Sequence, residues 1–362
     1  MVLYRKYRPK KFSEVIGQEK IINILKNEIK QNRLAHAYLF TGPRGLGKTT
    51  TARLLAKSLN CLNRKPGKYE PCNKCNHCKS LNNGNFLDLI ELDAASQTGV
   101  DNIRKNVISH SNIPPRSGQY KIFVIDEAHM LSNAAFNALL KTLEEPPEYA
   151  IFILATTEFH KLPETIVSRC QRFDFTKVSL RKIVKRLKEI AKKEKIEVDE
   201  NILKMIAYRS EGCVRDAESL LSQLFAIGDK KISLNKASLV IPPTQTGKVV
   251  SLLSNIFNKD KDKAIKVINE VLDKGGSLEQ FLSDTIDFLR KVIFSKIGLE
   301  NENLQWQIDE KVEKQIKDFA KEDMDSLIQA TESFVNLQTR PNYEKIPQLL
   351  LELNIIKICN KL

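Results

Sequence analysis

The sequence predicts an α/β protein whose front carries a parallel sheet covered by helices and whose remainder is helical almost throughout. Three observations lead there. Ala37–Phe40, Phe86–Leu92, Ile122–Ile125, Ile151–Ala155 and Gln171–Phe175 read as strands. Four of them are nearly continuous in apolar residues, as strands buried on both faces are. The segments between, such as Lys48–Leu59 and Ala134–Leu143, carry apolar residues at three-to-four spacing and read as helices. After Thr176 strand patterns nearly stop, and Leu180–Lys193, Glu200–Arg209 and Arg215–Ala226 read as three helices of a small bundle. Strand–helix alternation of the first kind predicts a parallel sheet with helices on it. Pro242-Pro243 then breaks the chain, and from Lys248 to Leu362 the pattern is helical, interrupted at Gly275-Gly276 and Pro341.

At 362 residues the chain is too long for one ordinary core, so two or three domains are expected. The breaks divide it into residues 1–176, 177–241 and 242–362. The longest apolar runs are far too short to span a bilayer, which leaves no place for a membrane partner. Met1–Lys11 is dense in Lys and Arg and runs into no apolar core, so it does not read as a secretory signal and a cytoplasmic protein is expected.

The net charge of +14 is unevenly spread. Residues 241–362 hold 17 basic against 19 acidic side chains, so residues 1–240 carry the whole excess. A basic front and a neutral back suit a front that meets a polyanion; lysines that merely solubilise the surface would give the same count.

Gly42-Pro43-Arg44-Gly45-Leu46-Gly47-Lys48-Thr49 matches the phosphate-binding pattern G-x-x-x-x-G-K-[ST] and follows the strand Ala37–Phe40 almost directly. Glycines let backbone N–H groups converge on phosphate oxygens, and the helix beginning near Lys48 adds the positive end of its dipole. Lys48 is expected on the β- and γ-phosphates of ATP, and the Thr49 hydroxyl on Mg²⁺. Gly247-Lys248 is no second loop, because Pro242 stands where the first glycine would be needed. Ile122–Ile125 runs into Asp126-Glu127, where Asp126 suits Mg²⁺ and Glu127 suits activation of an attacking water. Both acids together argue for hydrolysis of ATP.

Seven cysteines are present, and Cys61, Cys72, Cys75 and Cys78 have the spacing C-x10-C-x2-C-x2-C. A C-x2-C turn brings two thiolates into tetrahedral reach of Zn²⁺, and four thiolates close the site with no open position for chemistry. Lys65, Lys68, Lys74 and Lys79 lie near enough in sequence to offset its charge, and His77 is a substitute ligand with poorer spacing. Cys170, Cys213 and Cys359 are isolated and read as buried small residues.

Further stretches are distinctive: Tyr4-Arg5-Lys6-Tyr7-Arg8-Pro9, His36-Ala37-Tyr38-Leu39-Phe40, Asp93-Ala94-Ala95-Ser96, Asp126-Glu127-Ala128-His129-Met130-Leu131, Leu154-Ala155-Thr156-Thr157, Ser168-Arg169-Cys170 and Gly212-Cys213-Val214-Arg215-Asp216. So is the run from Phe136 to Pro147. With the P-loop and the cysteines, these make the chain resemble the gamma/tau subunits of the bacterial DNA polymerase III clamp loader, which are AAA+ ATPases. The resemblance is strong over about the first 240 residues and general beyond them, apart from Leu349-Leu350-Leu351-Glu352. It implies an AAA+ ATPase domain with an inserted zinc module, a helical lid and an all-α collar. It also implies a function: ATP binding and hydrolysis that open the sliding clamp and load it onto primed DNA, polymerisation itself belonging to the holoenzyme. The partners implied are further gamma/tau copies, delta and delta-prime subunits, the clamp and primer-template DNA. Residue by residue, the resemblance makes Thr156 the sensor near the γ-phosphate, Arg169 the arginine finger acting on a neighbour's ATP, and Arg215 the second sensor reaching down from the lid. Tyr7, Arg8 and Ile16 fall to the adenine pocket. The resemblance leads us to expect the short form of the family or a truncated one, so helicase and polymerase contacts, which the long form's C-terminal extension carries, are not expected of it.

Overall fold

The computed structural model describes residues 2–238, 240, 246–273, 275–299, 310–338 and 347–361. The breaks read at Pro242-Pro243 and Pro341 lie outside the described residues. The chain separates into two compact units, Met1–Val240 and Ile241–Leu362.

Five strands of the first unit, β1 (Ala37–Thr41), β2 (Leu89–Asp93), β3 (Lys121–Asp126), β4 (Ala150–Thr156) and β5 (Gln171–Asp174), form one sheet in the order β2-β3-β4-β1-β5. Every pairing is parallel. Every residue of β1 and β4 is buried, which is why both segments are apolar without alternation. Successive side chains still point to opposite faces. Tyr38, Phe40, Val124 and Ile153 enter one core with helices Glu19–Gln31 and Lys48–Leu59. Leu39, Phe123, Ile125 and Phe152 enter the other with helix Asn133–Glu144, where the Phe123 and Phe152 rings stack at 5.1 Å.

After the sheet come helices Leu180–Glu194, Glu200–Arg209 and Val214–Phe225, packed on one another, with a two-stranded parallel ribbon of β6 (Glu197–Val198) and β7 (Lys231–Ile232) beside them. That ribbon carries too few residues to leave a periodic signal. Among its described residues the second unit is helical: Thr246–Phe257, Lys261–Asp273, Leu278–Lys296, Glu310–Phe319, Met324–Gln338 and Pro347–Lys361. Their apolar faces share one core around Leu253, Ile268, Leu289 and Phe334. No helix among the described residues is long and apolar enough to cross a membrane.

One strand begins later than its sequence suggests. The run Phe86–Leu92 becomes β2 only from Leu89, because Asp88 is turned to another task. Its buried carboxylate accepts the backbone N–H groups of Arg116 (2.7 Å), Ser117 (2.8 Å) and Gly118 (2.7 Å), pinning the loop ahead of β3. Burial pushes the carboxyl's pKa up, but the amides of Gly118, Arg116 and Ser117 more than offset it and the net shift is downward. A depressed carboxyl pKa stabilises the fold fully above the ordinary value near 4, and that contribution is lost as pH falls through the lower folded value. Asp88→Asn should therefore cost about 1–3 kcal/mol at neutral pH and flatten the loss of stability below about pH 4, measured by urea unfolding from pH 7 to pH 3.

Candidate functional site

The strand order creates the site. β4 lies between β1 and β3, so the loop leaving β1 and the acids ending β3 emerge on either side of Thr156, at the carboxyl edge where parallel sheets bind ligands. Gly42 (φ 125°), Gly45 (φ 73°) and Gly47 (φ 97°) are all left-handed. A Cβ at Gly42 would sit 2.3 Å from the Phe175 carbonyl oxygen, and one at Gly45 would sit 2.1 Å from Cys213 Sγ. Helix Lys48–Leu59 starts immediately after this loop. Lys48 is buried, its Nζ donating to the carbonyls of Gly42 (2.6 Å) and Pro43 (2.9 Å). Burial pushes its pKa down, opposed by the carboxylates of Glu127 and Asp126. The Thr49 hydroxyl donates to Asp126 Oδ2 at 2.7 Å, which joins the two residues expected at Mg²⁺.

Glu127 stands just past β3 in a left-handed conformation (φ 48°), which turns its side chain out of the strand's alternation. It accepts from the Thr157 hydroxyl at 3.2 Å and lies 3.6 Å from His129 Nδ1. Thr156 is buried, with its hydroxyl 3.3 Å from His129 Nδ1 and donating to the Glu158 carbonyl at 3.4 Å. Glu158 closes the group at 3.3 Å from His129 Nε2. His129 and Thr157 thus join Glu127 and Thr156 in one cluster, which the sequence reading did not single out although both lie in the quoted stretches.

A cleft runs over the P-loop. Arg44 to Thr50 line it with Asp126 and Glu127, and the far walls come from the N-terminal segment and from the three-helix bundle. The N-terminal segment contributes Tyr4, Arg8, Pro9, Glu14, Val15 and Ile16; the bundle contributes Arg186, Val214, Arg215 and Glu218. Arg215 lies over the Tyr4 ring at 4.9 Å, and its guanidinium, then that of Arg5, holds the Tyr4 phenol below its usual pKa. Arg44 lies 3.7 Å from Asp216. Arg186 Nε donates to Glu218 at 3.0 Å, both side chains buried, and Arg186 also donates to the Tyr7 carbonyl. Burial pushes the Glu218 carboxyl up, opposed by Arg186. Glu218 follows Arg215 by one helical turn, a spacing visible in sequence; its partner lies 32 residues away and is not. Arg8 and Ile16 are on the wall. Tyr7 is not: its hydroxyl donates to Glu194 at 2.6 Å.

Arg169 is not part of this cleft's wall. Its guanidinium donates to the Thr165 carbonyl at 2.6 Å and pairs with Glu144, with about a third of the side chain exposed. It follows the short helix Glu164–Val167, on the path from β4 to β5.

The four thiols of Cys61, Cys72, Cys75 and Cys78 lie within 4.8 Å of one another. Cys72 Sγ and Cys78 Sγ are 3.9 Å apart, close to the separation of two thiolates each about 2.3 Å from one tetrahedral Zn²⁺. Backbone N–H groups point at the sulfurs: Lys74 and Cys75 at Cys72 Sγ (3.4 and 3.3 Å), Cys72 at Cys61 Sγ (3.3 Å). For Cys72 burial raises the pKa, but the amides of Lys74 and Cys75 and the neighbouring thiols of Cys61 and Cys75 bring it down to about 6. The donor set fits zinc. His77 is engaged elsewhere, its Nδ1 2.9 Å from the Asn60 carbonyl oxygen. Lys65, Lys68, Lys74 and Lys79 are exposed, whereas Lys57, unremarked in the sequence, is buried beside the cluster with its Nζ on Asn73 (2.8 Å) and Asn82 (2.9 Å).

A parallel sheet with a P-loop after β1, paired acids after β3 and a three-helix lid over the cleft defines an AAA+ nucleotide-binding protein. Three family models match in succession: DNA polymerase III, delta subunit, over residues 17–179; DNA polymerase III clamp loader subunit, ATPase lid domain, over 182–230; and DNA polymerase III subunits gamma and tau domain III, over 240–332. DNA polymerase III subunit gamma of Buchnera aphidicola subsp. Acyrthosiphon pisum is 40% identical over 295 residues, 82% of this chain and 81% of that one. DNA polymerase III subunit tau of Bacillus subtilis is 39% identical over 99% of this chain and 63% of its own length. That of Escherichia coli K12 is 40% identical over 82% of this chain and 46% of its own length. The chain belongs to the DNA polymerase III gamma/tau subunit family, and spans less than two thirds of the length of these tau relatives.

The cysteine cluster generates a direct test. Cys75→Ser should lower bound zinc from one ion per chain toward none and lower the melting temperature, read by colorimetric zinc assay and calorimetry. Unchanged zinc content would exclude the four-thiolate site.

Proposed function

We propose that the chain is the ATPase subunit of a replicative clamp loader, using ATP binding and hydrolysis to open a sliding clamp and load it onto primed DNA for DNA polymerase III. The observation that carries this is the convergence, in one cleft, of Lys48, the Thr49–Asp126 pair, Glu127 and the lid residue Arg215. Family membership supplies the context. Residues 1–176 are the ATPase domain with zinc insert 61–78, 177–241 the lid, and 242–362 a collar that joins subunits.

Backbone N–H groups of the loop from Arg44 to Gly47 take the phosphates, and Lys48 moves from its carbonyl acceptors to the β- and γ-oxygens. Mg²⁺, held by Thr49 and Asp126, would neutralise charge on those oxygens. Glu127 orients and deprotonates the attacking water, with Thr157 and His129 fixing its carboxylate. Thr156 senses the γ-phosphate from the same cluster. Arg215 binds the nucleotide from the lid, and Arg8 and Ile16 belong to the base end; Tyr7, off the cleft wall, supports it only through its carbonyl on Arg186. Arg169, held by Glu144 at the surface, serves as the finger for ATP on a neighbouring copy. Zn²⁺ on the four cysteines is structural. The assembly contains further copies with delta and delta-prime subunits, and the basic first 240 residues face primer-template DNA. A cytoplasmic setting keeps the thiols reduced.

In an assembly reconstituted with clamp, delta subunits and primed DNA, Lys48→Ala should lose ATP binding. Arg169→Ala should keep binding and lose stimulated turnover by roughly 10³-fold. Full stimulated turnover in Arg169→Ala would sink the trans assignment.

A further inference from the structure

The four-cysteine knuckle reaches beyond itself through two side chains. The Glu70 carboxylate accepts the backbone N–H groups of Phe12 (2.9 Å) and Ser13 (3.0 Å). Asn73, left-handed at φ 57° and adjacent to Cys72, donates from Nδ2 to the Lys10 carbonyl at 3.0 Å. Its Oδ1 accepts from Lys57 Nζ, so the same amide ties the knuckle back to the P-loop helix. Phe12 is buried in the core under that helix, and Glu14 accepts the Lys10 N–H at 2.6 Å. Residues 10–14 are thus pinned on one side by the knuckle. Immediately after them, Val15 and Ile16 line the cleft. The P-loop claims the phosphates, so this apolar wall is the part of the cleft left for the base.

We propose that the knuckle is a positioning device for the nucleotide base, with Glu70 and Asn73 holding Lys10–Ser13 so that Val15 and Ile16 stand ready as the base wall. This rests on the nucleotide reading above. The physical logic is preorganisation: a segment already ordered by two backbone-directed anchors does not charge its ordering entropy to the ligand. Loss of the Glu70 anchor leaves the contacts of the P-loop helix and of the cysteines in place, so its effect falls on the base and not on the phosphates, whereas loss of Asn73 also frees Lys57 on that helix.

The test compares the full chain with Glu70→Ala, Asn73→Ala and Glu70→Gln. Zinc content, calorimetric affinity for ATP and for inorganic tripolyphosphate, and hydrogen exchange at residues 10–16 are measured. The expected result is retained zinc, ATP affinity lowered roughly tenfold, tripolyphosphate affinity within about twofold of wild type, and faster exchange at Phe12 and Ser13. Glu70→Gln, isosteric and still an acceptor at one oxygen, should give an intermediate loss, and it decides the matter where an alanine variant loses zinc. ATP affinity unchanged in zinc-loaded variants, or ATP and tripolyphosphate affinities falling together, would overturn the proposal. A wild-type chain that bound neither compound would instead overturn the nucleotide reading, and this inference with it.

Discussion

At Gly42 and Gly45 no side-chain carbon fits between the P-loop backbone and what packs over it, and the first unit is arranged around that constraint. Gly42 lies against the Phe175 carbonyl and Gly45 against Cys213 Sγ. The second contact needs an unusual turn on the lid side, and the sequence provides one. Glu211 and Gly212 are consecutively left-handed, and a Cβ on Gly212 would meet Lys177 Cβ at 2.7 Å. That turn delivers Cys213 to the loop and starts helix Val214–Phe225 directly over it. Arg215 reaches the cleft because Gly45 lets Cys213 come so near. The loop's glycines therefore serve two ends, presenting N–H groups and seating the lid.

Burial of charge is the second organising theme. Lys48, Lys57 and Arg186 are all buried, and each is given oxygens at short range: loop carbonyls for Lys48, two amide oxygens for Lys57, Glu218 and the Tyr7 carbonyl for Arg186. A cation removed from water without such partners would be expensive. The three differ in what can displace their partners. Lys48 is held by neutral carbonyls, which a phosphate outcompetes. Arg186 is held by a carboxylate and is committed to structure, tying the lid to the N-terminal segment.

What could be read from sequence was what is local. Helix Lys48–Leu59 has the bounds its spacing suggests, because a loop of fixed chemistry starts it. β1, β3 and β4 are legible because strands buried on both faces are apolar throughout. The cysteine spacing sufficed to bring four thiols together. What escaped were the pairings across long stretches of chain that no motif announces, unlike Thr49 with Asp126. Asp88 lies inside an apolar run that reads as strand, yet its carboxylate serves a loop 28 to 30 residues on. Nothing near Glu70 and Asn73 in sequence points to Lys10 or Phe12, which they hold. Arg169 carries no local sign of facing away from its own cleft; its partner Glu144 precedes it by 25 residues.

The N-terminal segment links parts that would otherwise be independent. Helix Leu3–Lys6 packs on the lid helix Val214–Phe225, Tyr7 is fastened to Glu194 and Arg186, and Gln18 exchanges hydrogen bonds with Thr176 beyond β5. Between these fastenings run Lys10 and Lys11, both exposed, and a trypsin-like protease would reach the bonds after them once Asn73 and Glu70 release the Lys10 carbonyl and the Phe12 N–H. A single nick there would break no helix and no strand. It would still uncouple the lid from the knuckle, as cutting a drive belt stops a machine whose wheels are all intact.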